Sequence, residues 1–344
     1  MAPHHRAGLL ALLAIQGLSG CAERAGEHRE GEPEMALALP AGIEVVREVE
    51  LQELDSVVNA RPLGTISPRG NLVLADIMEG RVRIYSPEGA LLRQLGCKGD
   101  GPGEFVAPVQ ARVTADGSLF VGDVPRGIHH WSGEDLREYE LHRPGLQFQF
   151  GTHALDDSLL LVAGLRPGAP NPHLLHLFDL STGDVTRSFF PIPLPPDAQQ
   201  GSALMVAMVA SDIREDEVAA AFSLSDTIFV FGLPEGRLKR KVHLAIPGFI
   251  QDPFREGGSE WQSRIRLLRG VHWLPGGGYL VHFASAGPSE TTGLMLTGPE
   301  GEVLHTWWPS PEPLAVDWPD IYLFSPSSLE PNKLLVVRYR LGVS

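Results

Sequence analysis

Beyond its first forty residues, the chain alternates hydrophobic and polar positions over short runs, and glycine, proline and aspartate punctuate the runs. This period of two, with closely spaced turn formers, predicts short antiparallel strands rather than helices. IEVVREVEL is the first such run: Ile43, Val45, Val49 and Leu51 share one side and mostly glutamate occupies the other, the pattern of a half-exposed strand. Only Gly258–Leu268 (GSEWQSRIRLL) suggests a helical period, and there a short helix is expected on a loop.

The runs repeat. SPRGNLVLADIMEGRVRIYSPEGALLRQL and TADGSLFVGDVPRGIHHWSGEDLREYEL superpose as a turn, a strand ending in Asp, a short loop, a strand ending in an aromatic, a polar turn and a third strand. Gly70 to Gly117 and Asp76 to Asp123 are each 47 residues apart, the period of a four-stranded propeller blade. Weaker copies follow in LDDSLLLVAG with HLLHLFDLSTGDVTRSF, in EDEVAAAFSLSDTIFVFGLPEGRLKRKVHL, and in GGGYLVHFASAG with TGLMLTGPEGEVLHTWW. The last copy, DIYLFSPSSLEPNKLLVVRYRL, has a possible inner strand near Leu314–Val316 but no outermost strand. The isolated run Ile43–Leu51 fills that gap. The expectation is therefore an all-β, six-bladed β-propeller over 42–344, one domain, closed by its N-terminal strand in the last blade.

The chain's beginning differs from the rest. MAPHHR, the apolar run AGLLALLAIQGL and LSGC read as a signal peptide over 1–20, and the apolar run is too short to span a bilayer. Leu18-Ser19-Gly20-Cys21 resembles the bacterial lipoprotein signal, which implies cleavage before Cys21 and a lipidated thiol; Ala22 resembles the residue that sorts such proteins to the outer membrane. Residues 21–41 (CAERAGEHREGEPEMALALPA) read as a flexible tether. The expected location is the bacterial cell envelope, lipid-anchored at the outer membrane and facing the periplasm.

Composition adds three limits. Glycine (38) and proline (29) favour many tight turns. Cys21 and Cys97 are the only cysteines, so a lipidated Cys21 leaves no internal disulfide and no thiolate metal cage. The formal charge is −14, and it becomes −15 without the first 20 residues; nucleic acid is excluded as a partner on average electrostatics. The basic run Arg237–Lys241 reads as a charged strand edge that discourages further pairing.

The most conspicuous stretch is LGCKGDGPGEFVAP, Leu95 to Pro108. As a phosphate loop it lacks the Gly-Lys-Ser/Thr ending and a following helix, and as a calcium loop it lacks the spaced acidic ladder. It fits a corner, the crossing from the outer strand Leu91–Leu95 of the first blade to an inner strand at Ala111–Thr114 of the second. Gly99, Gly101 and Gly103 are expected to supply positive φ, Pro102 to fix its own φ, and Phe105 to anchor between blades. GCKGDGPGEFVAP followed by TADGSLFVGD resembles the NHL-repeat and TolB-like six-bladed propeller proteins of bacteria over about Gly70 to Trp131. That resemblance implies protein-, peptide- or glycan-binding modules, and also calcium- or zinc-dependent lyases and lactonases.

No HExxH, GxSxG, CxxC, Walker A or dinucleotide-binding motif is present. Asp76, Asp100, Glu104, Asp123, Arg126 and His129 fall on the crossing face and are the candidate ligand-binding residues, with tying of their own turns as the competing role. The longer connections Pro191–Ser202 and Phe249–Arg266 are expected to wall that face with Phe254 and Trp261. Among the 13 histidines, His129 and His130 point to opposite faces of a strand and cannot share one ion. The leading expectation is an anchored monomer that binds a protein, peptide or glycan and needs no cofactor. The alternative is a hydrolase, lyase or lactonase with calcium or zinc in the central channel; a third role is structural, within an envelope assembly.

Overall fold

A computed structural model describes residues 42–52, 63–124, 126–166, 172–192, 209–246, 248–249, 266–285, 291–311, 313–324 and 333–339. The expected signal 1–20, Cys21, the tether, and Phe254 and Trp261 all lie outside the described residues. The fold is all-β: six four-stranded antiparallel sheets form a six-bladed propeller. Its inner strands are Leu63–Ile66, Pro108–Val113, Gln147–Ala154, Val209–Arg214, Arg266–Trp273 and Pro313–Asp317, and they neighbour one another around the axis.

The closing strand is where the alternation of IEVVREVEL put it. Ile43–Glu50 pairs antiparallel with Lys333–Tyr339, and the sixth sheet runs Pro313–Asp317, Asp320–Phe324, Lys333–Tyr339, Ile43–Glu50 from the axis outward. The ring thus leaves no sheet unfinished.

Second strands of the blades read as continuous apolar runs because both of their faces are buried. Leu72–Asp76 and Leu119–Asp123 are buried at every position. Their two faces serve different interfaces: Val73 and Ala75 pack toward the second blade with Leu119 and Val121, whereas Leu72 and Leu74 pack toward the sixth with Tyr322 and Val336. The same division places Val218, Ala220 and Phe222 against the third blade and Ala219 and Ala221 against the fifth. Six hydrophobic clusters result, one between each pair of neighbouring blades, including the sixth and first.

Outer strands are exposed and charged. Arg237–His243 is outermost in the fourth blade, and Lys239 pairs there with Asp216 and Glu217, in keeping with the edge role expected of this basic run. The expected helix at Gly258–Leu268 is not found in its described part, because Arg266–Leu268 open an inner strand whose Leu267 and Leu268 are buried. Burial between blades overrides a weak helical period there. The remainder of that stretch lies outside the described residues.

Candidate functional site

Five of the six crossing-face candidates have their polar atoms engaged within the protein. Asp123 accepts hydrogen bonds from Val106 N (3.0 Å) and Ala107 N (2.6 Å) and from His129 Nε2 (3.2 Å), while His129 Nδ1 lies 3.1 Å from Tyr139 Oη. Both Asp123 and His129 are completely buried. Arg126 donates to the carbonyls of Gly101 (3.2 Å) and Glu104 (3.0 Å), and Glu104 accepts from Gly101 N (2.7 Å). Asp76 accepts from Met78 N and Glu79 N (both 3.0 Å) and pairs with Arg83. The structure thus gathers Glu104, Asp123, Arg126 and His129 around one corner and holds Asp76 with Arg83 and Glu79 in the first blade. Asp100 is exposed on the crossing itself.

The crossing is a corner, built differently from the expectation in one respect. Of the three glycines Gly99, Gly101 and Gly103, only Gly103 adopts a positive φ (75°). Gly99 and Gly101 are small for another reason: a Cβ at either would meet the Glu104 carboxyl group, at 2.1 and 3.0 Å. Phe105 fills the space between the first two blades, edge-on to Trp131 at 5.5 Å and tilted on His129.

A second constellation lies at the axis. Each inner strand carries a residue two positions before the one that opens its first turn: Thr65, Arg112, His153, Asp212, His272 and Ala315. Residues at one level of a ring project alike. Arg112 in the second blade and His272 in the fifth, on opposite sides of the ring, interact electrostatically, and so do Arg112 and Asp212. The inner strands run away from the crossing face, so this ring lies toward the opposite end of the axis.

Polar side chains also sew neighbouring inner strands together. Thr65 Oγ1 donates to Ala111 O (2.7 Å), Thr152 N donates to Gln110 Oε1 (2.6 Å), His153 Nε2 lies 3.0 Å from Ser211 Oγ, and Trp273 N donates to Asp212 Oδ2 (2.9 Å). These bonds run from the first blade to the fifth and supply polar partners that an apolar axis would lack.

The electrostatics of the ring are uneven. Burial lowers the pKa of Arg112, opposed by Asp212, yet a guanidinium remains charged at neutral pH. Burial pushes His153 well below the usual imidazole range, and Arg112 beside it adds to the shift; the bond with Ser211 opposes it and His272 acts with Arg112. His272 is lowered too, by burial first, with Asp212 opposing and Arg112 assisting. Both imidazoles are therefore neutral at pH 7. Among the described residues no hydrogen bond or ion pair closes on Arg112, and its buried Nε has no partner. The described histidines and acids that approach closely enough to share a metal ion are His130, Glu140 and His142, away from the ring.

No family model matches the chain, and no curated protein matches it. Solved structures do resemble it. A member of the DUF4221 family from Bacteroides vulgatus superposes with a TM-score of 0.59 at 11% identity, over 87% of this chain and 98% of that one. A Bacteroides fragilis protein, whose name proposes that it is exported, superposes with a TM-score of 0.60 at 15% identity, over 88% of this chain and 97% of that one. At such identities the likeness is one of fold. The fold that the NHL-like motif implied is present, and neither neighbour's name carries NHL or TolB.

Arg112, His153, Asp212 and His272 were not among the sequence candidates, and neither were Tyr139 and Arg83, the partners of His129 and Asp76. A usable signal existed for the ring. Once the first turn of a blade is placed, as at Thr114 to Ser118, the residue two positions earlier marks the equivalent level of each inner strand.

Proposed function

We propose that the protein is an extracytoplasmic, lipid-anchored binding module, attached through Cys21, whose propeller captures a carboxylate-bearing peptide or glycan at the axial ring. One observation carries the reading: the Arg112 guanidinium, for which no acceptor is found among the described residues. The buried Nε of Arg112 lacks an acceptor, and an incoming carboxylate supplies two acceptor oxygens in the geometry that arginine matches. Neutral His153 and His272 flank it as further hydrogen-bonding groups without adding charge. The excess of acids elsewhere repels polyanions such as nucleic acid while leaving this local positive site for a short acidic end group. The structural neighbour named for export and the lipoprotein-like Leu18–Cys21 support an envelope location.

Uronic-acid oligosaccharides, acidic peptides and their neutral counterparts, presented to the full chain, test the proposal. Arg112→Gln should weaken capture of the acidic ligands by about 10- to 100-fold, the loss of a charged hydrogen-bonded pair. Equal binding by the variant, or a preference for the neutral counterparts, overturns it. In cells, Cys21→Ser should release the chain from the membrane fraction.

A further inference from the structure

We infer that the outer half of the second blade carries a zinc site formed by His130, Glu140 and His142. His130 belongs to the strand Gly127–Ser132, and Glu140 and His142 belong to the outermost strand Glu138–His142. The register sets His130 directly opposite Glu140, and His142 two residues further along. Side chains two apart on a strand share a face, and so do directly opposed residues, so all three project toward the third blade. His129, of opposite parity, turns instead into the corner with Asp123.

One ligand atom from each residue lies within 4.8 Å of the other two. Zinc bonds of roughly 2 Å in tetrahedral array space neighbouring ligands about 3.4 Å apart. His142 Nε2 and Glu140 Oε2 are already 3.4 Å apart. Glu140, whose side chain is 69% exposed, has room to turn a carboxylate oxygen toward the two imidazoles. The imidazoles are held: His130 stacks on Phe120 at 4.3 Å with an interplanar angle of 12°, and His142 meets Phe178 of the third blade edge-on at 5.9 Å. His142 Nε2 is buried and makes no hydrogen bond, so its lone pair has no competing use.

The donor set narrows the ion. Two imidazoles and one carboxylate suit zinc, whereas calcium requires six or more oxygens. Three protein ligands leave the fourth position open to water or to a group from a partner, beside the exposed end of Glu140. This inference is independent of the axial ring.

Calorimetric titration of metal-free full chain with zinc, together with cobalt absorption spectra, tests the site. Cys97 is an exposed thiol and Cys21 is the second cysteine of the full chain, so the double substitution Cys21→Ser, Cys97→Ser serves as the parent protein. One equivalent of zinc should bind at neutral pH, and cobalt should give a spectrum without thiolate charge transfer. Adding His142→Asn should abolish that binding, and Glu140→Gln should weaken it by at least about tenfold. Glu140→Gln changes an exposed group and should leave the metal-free melting temperature unaltered, which keeps the result readable even where His142→Asn fails to fold. Absence of zinc uptake by the parent, or parent-like affinity in Glu140→Gln, overturns the assignment.

Discussion

His176 Nδ1 lies 2.8 Å from Ser188 Oγ, and its Nε2 faces the carbonyls of Gly164 (3.2 Å) and His173 (3.1 Å). That geometry assigns the proton to Nε2 and makes Nδ1 the acceptor. Burial lowers the pKa to about 4, against the opposing pull of the two carbonyls. An unfolded chain takes up this proton near pH 6.5, so the folded state loses stability as pH falls from about 6.5 to about 4 and loses no more below that. The span corresponds to on the order of 3 kcal/mol. His153, also lowered by burial, contributes a loss of stability of the same sign as pH falls. Urea titrations at pH 7, 5.5 and 4 should show the midpoint dropping, and His176→Gln should flatten the drop above pH 4. An unchanged slope in that variant refutes the role of His176.

At the scale of elements, the strand Ile43–Glu50 ends against the last turn of the first blade. Gln52 N donates to Gly89 O (3.0 Å), and Gly89 has a φ of 90° with space for no Cβ: one placed there would lie 2.1 Å from Glu50 O. Gly183 offers a comparison, since its φ is 74° and a Cβ there meets nothing within 4 Å. Gly183→Ala should cost only the left-handed penalty of about 1–2 kcal/mol. Gly89→Ala should cost that and the displacement of the closing strand, so its urea midpoint should fall further. Equal midpoints would mean that this contact yields freely. Closure was legible in the sequence because an amphipathic strand without a blade met a blade without an outer strand. The inner strands Gln147–Ala154, Val209–Arg214 and Arg266–Trp273 were not, since their axial positions carry His153, Asp212 and His272 instead of a clean apolar alternation. The same cause hid the ring. Asp100, Glu104, Asp123 and Arg126 stand close together in sequence and attract notice, whereas the ring takes one residue per blade, about fifty residues apart. The crossing's glycines signal positive φ in sequence, whereas Gly99 and Gly101 clear space for the Glu104 side chain, which local sequence does not encode.

The whole molecule is a cycle of equivalent interfaces, in which no blade is complete alone. Among the described residues, hydrophobic clusters lie between blades, so a blade deprived of its neighbour exposes one face of a strand that is apolar on both. The sixth-to-first interface differs from the rest in recruiting residues from both ends of the chain: Val49 and Leu51 pack there with Leu72, Leu74, Leu334 and Val336. Removing residues 42–52 therefore takes away the outer strand of one sheet and part of the cluster that holds the ring shut. The bared edge of Lys333–Tyr339 then presents unpaired backbone groups to any second chain. A chain beginning at residue 53 should melt at lower temperature, lose its single cooperative transition and self-associate in light scattering. A synthetic peptide of residues 42–52, added in excess, should restore the monomer and raise the melting temperature by mass action. The axial ring takes one residue from every blade, so ligand capture by Arg112 should weaken with truncation and return with the peptide. A monomeric truncated chain with unchanged melting would show that five complete blades and a three-stranded sixth hold the ring unaided.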